Sequence, residues 1–374
     1  MVKRAAGETT AVLSARALNR AFLARQMLLE RHSLSAVKAV ERLVGMQAQV
    51  ARPPFVGLWT RLHDFDRAEL AKALTSRKIV RVTGFRATLH LMSAADYVVF
   101  RGAIQPMLTK GMQSIVRGRG AEVDIALLGA EARRFFGKSA ATFDVLRDHL
   151  KATFGSGDER AMAYAIRMQV PLVQVPTDAT WGFPAAADFA LADAWLGKAI
   201  STEPVSPEKL VRRYLAAFGP ASAGDAQAWS GLSGLRKVFE AMCPSLVSFR
   251  DERKRELFDL PDAPRPSEDV VAPVRFIPDF DNLVLSHDDR SRIIADAHRG
   301  RVTTKNLQVR ATFLVDGMVT GTWKSERKRK SAVLVIEPFA SVAKRVRAEL
   351  EQEGARLLEF LEPDASEREI RWAT

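Results

Sequence analysis

Glu41-Arg-Leu-Val-Gly-Met-Gln-Ala-Gln-Val-Ala-Arg-Pro-Pro-Phe-Val-Gly-Leu-Trp59 closes one helix, sets two glutamines a residue apart, and opens the next helix. Val37, Val40, Leu43 and Val44 recur on one face of a helix that starts near Ser33 or Ser35, and Gly45 ends it. Before it, residues 12–30 read as a helix capped by Ser14, with Leu18, Phe22, Met27 and Leu29 at helical spacing. After it, Pro53-Pro54 predicts an extended turn, followed by helices over 55–62 and 68–74. Arg77-Lys-Ile-Val-Arg-Val-Thr-Gly-Phe-Arg-Ala-Thr-Leu-His-Leu-Met92 then switches to period two, with Thr83-Gly84 as its turn. Three helices followed by a two-stranded wing is the layout of a winged helix.

The layout recurs downstream with weak internal similarity. The fold class predicted is mainly α with β (α+β): three tandem winged-helix units over 12–110, 120–200 and 201–262, followed by a small β-barrel-like domain. Residues 261–273, rich in proline and polar residues, read as the linker. Beyond them come strands over 274–277, 283–285, 309–315, 318–323 and 332–336, with Asp316-Gly317 as a hairpin turn. The barrel-like domain is assigned 273–340, and a closing helix and tail 341–374.

Composition narrows the function classes. The 374 residues are 47% apolar and 27% charged, which fits a folded chain of several modules. No apolar run reaches the length of a membrane span, and the polar first ten residues lack the apolar centre of a signal peptide. A lone cysteine, Cys243, excludes an internal disulfide framework and a cysteine-rich zinc site. The expected location is cytoplasmic, nucleoid-associated when bound to DNA. The net charge of +12, with 56 Lys and Arg against 44 Asp and Glu, creates a field that attracts polyanions.

Five runs, in this order, carry a resemblance: Gly45-Met-Gln-Ala-Gln49, Gly57-Leu-Trp-Thr-Arg61, Arg86-Ala-Thr-Leu-His90, Phe276-Ile-Pro-Asp-Phe-Asp-Asn-Leu-Val-Leu-Ser-His-Asp-Asp-Arg290 and Gly321-Thr-Trp-Lys324. Over roughly residues 12 to 360 the chain resembles the winged-helix DNA glycosylase family of AlkZ and YcaQ (also called AlkX). The resemblance implies tandem winged helices around duplex DNA and excision of bulky N7-alkylated guanines, with unhooking of interstrand crosslinks in some members. Gln47-Ala48-Gln49 matches the double-glutamine form of the family's catalytic signature, making Gln47 and Gln49 the candidate catalytic residues. Ala87 departs from the family's Arg-Gly-Thr-Leu-His pattern.

The chemistry agrees. Cleaving an N-glycosidic bond passes through an oxocarbenium-like sugar, and an N7-alkylated guanine is already a cationic leaving group. Two carboxamide oxygens can accept hydrogen bonds from an attacking water, although neither can take its proton. One residue apart, they share a face only where the backbone is extended, which Gly45 permits. In an arbitrary protein they would be polar residues in a helix-ending loop.

The candidate DNA contacts are Arg52, Arg77, Lys78, Arg81, Arg86, Thr88 and His90, with the basic run Lys324, Arg327, Lys328, Arg329 and Lys330. The 79–92 ribbon is read as the element approaching the minor groove. His90 taken alone reads as a partly buried histidine. Asp279, Asp281, Asp288 and Asp289 fit no calcium loop and read as turn residues. The prediction is a monofunctional glycosylase acting as a monomer on damaged double-stranded DNA, with no metal or cofactor. The alternative is a non-catalytic tandem winged-helix DNA-binding protein or regulator.

Overall fold

The computed structural model describes residues 11–155, 157–304 and 308–373; the first ten, read above for a signal peptide, lie outside it. Helix and strand are mixed. Ser14 caps Ala15–Arg25 by accepting from Ala17 N, and Ser35 caps Ala36–Arg42 by accepting from Lys38 N. Val44 and Gly45 then turn the chain at positive φ. A Cβ at Gly45 would also sit 3.1 Å from the Leu91 carbonyl, so the turn into the glutamines suits glycine. Pro53 and Pro54 open the helix Pro53–Trp59 instead of making an extended turn. A proline at the first helical positions lacks only an N–H that the helix leaves unpaired there.

Residues 79–92 form the hairpin, with strands Ile79–Thr83 and Leu89–Ser93 and a connection over 84–88. It stands in the middle of a five-stranded antiparallel sheet. The order is Met46–Gln47, Leu89–Ser93, Ile79–Thr83, Leu172–Gln174, Phe189–Leu191. All ten residues of the two strands are buried. Val80, Val82 and Met92 join one apolar core, while Ile79 and Leu91 join a second, so both faces are covered. The second core also takes in Phe276, Phe313, Trp323 and Leu334 from the C-terminal strands.

Those strands do not close into a barrel. They form an open sheet ordered Glu367–Trp372, Ser331–Pro338, Met318–Lys328, Thr312–Val315, Arg275–Ile277, which packs against the helix Lys344–Leu361 through Leu350, Leu357 and Leu358. The edge strand 367–372 lies in the segment read as tail and runs parallel to its neighbour. Asp316-Gly317 makes the tight turn foreseen, both residues at positive φ between paired Val315 and Met318. Residues 283–285, expected as a strand, are helical. Asp281 caps that short turn by accepting from Leu283 N. The helix Ala94–Gly118 packs on the hairpin, and neither it nor Ile125–Phe136 had been read from periodicity. Among the described residues, no helix is long and apolar enough to cross a membrane.

Candidate active site

The two glutamines meet the hairpin at its tip. Gln47 lies in the strand Met46–Gln47, in register with His90, and Ala48 N donates to the Leu89 carbonyl at 2.7 Å. Gln49 extends the ladder with its side chain, accepting from Leu89 N through Oε1 at 3.2 Å. Gln47 Oε1 accepts from Arg86 Nη2 at 2.7 Å. The backbone is extended at Gln47, as the spacing required, and one hairpin tip holds both carboxamides. Gln47 is 8% exposed whereas Gln49 is open to solvent. The cavity behind Gln47, lined by Gln26, Met46, Arg61, Asp281 and Asn282 among others, has a volume of only about 10 Å³. It has room for about one water and none for a nucleobase.

Arg86 and Arg81 fix this arrangement. Arg86 sits at φ 53°, followed by Ala87 at φ 59°, and also donates from Nη1 to the Trp229 carbonyl. The wall on that side is close, since a Cβ at Gly231 would lie 3.2 Å from Arg86 Cα. Arg81 is 5% exposed and donates to the carbonyls of Ala48 at 2.9 Å and Gln49 at 3.2 Å, with its guanidinium over Phe183. Burial first, then the charge of Arg167 for Arg81 and of Arg290 for Arg86, lowers both guanidiniums to about 10. Both remain cations at neutral pH.

His90 is fully buried. Its Nδ1 lies 3.1 Å from the Thr88 carbonyl, its Nε2 has no hydrogen-bond partner among the described residues, and its ring meets Phe85 edge-on. Burial, with Arg86 nearby, lowers its pKa to about 3, so it is neutral. For Arg81 and His90 the expectation of DNA contact is corrected: a duplex reaches neither without opening the sheet. Arg86 and Thr88 lie half-buried at the tip, the Thr88 hydroxyl donating to the Phe85 carbonyl.

The remaining candidates are dispersed. Arg77 and Lys78 are exposed at the far end of the hairpin, Arg77 stacked on Trp195 and donating to its carbonyl. Arg52 donates to Ser325 Oγ at 2.9 Å, which ties the glutamine loop to the C-terminal hairpin. Lys324 pairs with Glu326, and Arg327 lies 3.9 Å from Glu362. Lys328, Arg329 and Lys330 are exposed around the turn of that hairpin, Arg329 at φ 50°.

Other residues around the site carried no catalytic or binding role in the sequence. Asp281 forms a two-pronged pair with Arg61 at 2.7 and 2.9 Å, both buried, and Asn282 Nδ2 donates to the Gly45 carbonyl at 2.8 Å. Three of the quoted motifs are thus clasped together behind the glutamines. Arg61 and Asp281 were visible within those motifs, but their pairing spans 220 positions and leaves no local pattern. Arg290 only closes one of the motifs, and Trp229 and Arg167 lie outside all of them.

Comparison with known proteins places these motifs in a family. The model of the family "DNA glycosylase AlkZ-like" matches residues 40–360, which takes in every motif quoted above. An interstrand DNA cross-link repair glycosylase of Streptomyces sahachiroi is 25% identical over 356 residues, spanning 89% of this chain and 92% of the relative. The solved structure of the Streptomyces sahachiroi DNA glycosylase AlkZ superposes with a TM-score of 0.79 at 22% identity, covering 97% of this chain and 100% of that one, a likeness of fold. The chain belongs to the AlkZ-like DNA glycosylase family and is a DNA N-glycosylase.

Proposed function

We propose that this glycosylase is monofunctional and hydrolyses the N-glycosidic bond of N7-alkylated guanine in duplex DNA, including bulky adducts and interstrand crosslinks. Family membership decides against the non-catalytic alternative. In this reading residues 12–110, 120–200 and 201–262 act as winged-helix units on damaged double-stranded DNA, with the open sheet of 273–340 and the 341–374 segment behind them. The protein acts as a monomer in the cytoplasm, nucleoid-associated when bound.

One observation carries the reading: the centre is shallow, and its two carboxamides have beside them no group that exchanges a proton near neutral pH. Gln47 and Gln49 are held by Arg86 and by a backbone N–H, and among the described residues no lysine, carboxylate or charged histidine is bonded to either side chain. Such a site offers no strong general acid for a neutral base and no amine for a Schiff base. It suits a leaving group that is already cationic. Each carboxamide oxygen accepts one N–H and keeps a second lone pair, to which a water can donate as it approaches the anomeric carbon. With about 10 Å³ behind Gln47, the lesion base stays outside, which suits a bulky adduct better than a base drawn into a pocket. The similarity to a cross-link repair glycosylase supports the same substrate class.

The test is incubation with a duplex carrying one N7-methylguanine, then heat or alkali to reveal abasic sites, beside Gln47→Ala/Gln49→Ala. Excision by the wild type and a loss of about 100-fold or more in the double variant are expected. Full activity in the double variant would overturn the site. Failure of the wild type on methylated, bulky-adduct and crosslinked duplexes alike would overturn the substrate.

A further inference from the structure

Arg81 and Arg86 hold the glutamines against the hairpin, Arg167 stands at the base of its tip, and the charge of a fourth arginine, Arg290, acts on Arg86. Arg167 projects from Glu159–Gln169, its Nε 3.3 Å from the Thr83 hydroxyl at the base of the tip. Arg290 follows Asp288 and Asp289 and lies near enough to Arg86 for its charge to weaken that cation. Its buried Nε has no hydrogen-bond partner among the described residues. Among the described residues, none of the four has a carboxylate at ion-pair distance. Asp288 acts on Arg290 from further away, against the larger opposing charge of Arg299.

Elsewhere in the molecule several buried or half-buried arginines are matched. Arg25 has Asp259, Arg61 has Asp281 and Arg213 has Asp96. Arg42 and Arg101 lack such a pair but spend their donors on carbonyls and, for Arg101, on Gln105. A whole cluster of unmatched cations falls on the active site, and its chemistry makes that arrangement costly. An oxocarbenium-like sugar beside uncompensated guanidiniums is destabilised unless an anion intervenes. Planar guanidinium forks are suited to phosphate oxygens.

Resting on the glycosylase reading above, we propose that Arg86, Arg167 and Arg290 seat a backbone phosphodiester adjoining the lesion nucleotide, and that this phosphate supplies the negative charge the glutamine site lacks. Arg81, buried beneath Ala48 and Gln49, holds the loop and does not touch the phosphate. The substrate thus completes the electrostatics of its own cleavage. This also explains why a site with no carboxylate tolerates cations so close to the reaction centre.

The proposal is tested on binding, separately from excision. A duplex with a tetrahydrofuran abasic analogue is prepared with the phosphate on its 5′ or its 3′ side replaced by a methylphosphonate. Affinity is then measured against salt for the wild type, Arg167→Met, Arg290→Met and Arg167→Lys. Each methionine variant should lower the salt slope by about 1 and weaken binding about tenfold on the ordinary duplex. At one of the two phosphates, neutralisation should weaken wild-type binding by a similar factor and the methionine variants hardly further. Arg167→Lys, which keeps the charge, should fall between and guards against a variant that merely misfolds. Independent, multiplying losses at both phosphates would overturn the clamp, as would no loss at either. Excision of N7-methylguanine is assayed in parallel. Coupled losses with no excision would overturn the substrate reading and leave the clamp standing.

Discussion

The hairpins of residues 79–93 and 318–338 both carry basic residues among β-branched and aromatic ones, yet the first is buried at all ten strand positions while the second carries Lys324 and residues 327–330 into solvent. The difference lies in their neighbours. The first hairpin is paired on both outer edges, by 46–47 and by 172–174. In the second, residues 323–328 extend beyond the register that Met318–Lys328 shares with Thr312–Val315. The buried guanidinium of Arg81 must find carbonyls and a ring, so it holds the glutamine loop. Exposed ones stay available for phosphates. Basic residues in a hairpin thus do not settle its use, which depends on what covers its edges and faces.

Acid separates the two hairpins most sharply. His90 in the first, like His287 elsewhere, has its pKa lowered to about 3 by burial. Between that value and the ordinary histidine range near 6.5, the unfolded chain binds protons that the folded chain refuses. Stability is therefore full above about pH 6.5 and falls as pH falls, by roughly 1.4 kcal/mol per pH unit for each histidine. Urea unfolding at pH 7.5, 6 and 5 should show this slope. His90→Gln should flatten it by one histidine's share, and Lys328→Ala/Arg329→Ala/Lys330→Ala should leave it unchanged. An unaltered slope in His90→Gln would remove the first hairpin from the account.

Arg81→Met comes next. It deletes two charged donors to the Ala48 and Gln49 carbonyls, at a cost of about 2–3 kcal/mol, and excision should fall with the loosened loop. A hairpin that served only to read DNA would lose affinity and keep its stability. The triple alanine variant at residues 328–330 should do the opposite of Arg81→Met. Its unfolding midpoint should hold within about 0.5 kcal/mol, while the salt slope of DNA binding falls by about 1 for each phosphate no longer neutralised. Stability loss in the triple variant would erase the contrast.

Much of this was legible in the chain. The caps at Ser14 and Ser35, the turn at Gly45, the hairpin at 79–92 and the Asp316-Gly317 turn are local events, set by a few adjacent residues. What could not be read was long-range. The hairpin's two-sided burial comes from strands over 172–174 and a core reaching residue 319, and the clasp of Arg61 on Asp281 joins positions far apart in sequence. The open C-terminal sheet followed the same logic, since its edge strand at 367–372 lies in a stretch with charged residues at 367, 368, 369 and 371, which looks like tail. For the site, the motif singled out Gln47 and Gln49 as candidates, but only the fold shows which groups hold their oxygens.

The smallest expected effect asks whether the two hairpin tips store the same backbone strain for different ends. Ala87 in the first and Arg329 in the second both sit at positive φ, at 59° and 50°, where a side chain costs about 1–2 kcal/mol. Glycine removes that penalty but loses more entropy on folding, so Ala87→Gly and Arg329→Gly should each stabilise the protein by about 0.5–1 kcal/mol in urea. Their functional consequences should diverge. At Ala87 the neighbouring Arg86 remains held by Gln47 and the Trp229 carbonyl, so excision should stay at the wild-type rate. At Arg329 the exchange also removes an exposed cation, so DNA affinity should drop and its salt slope should ease by about 1. If Ala87→Gly instead slows excision while raising stability, the strained turn itself helps press Arg86 onto Gln47, and the buried hairpin is a tensioned part of the catalytic site.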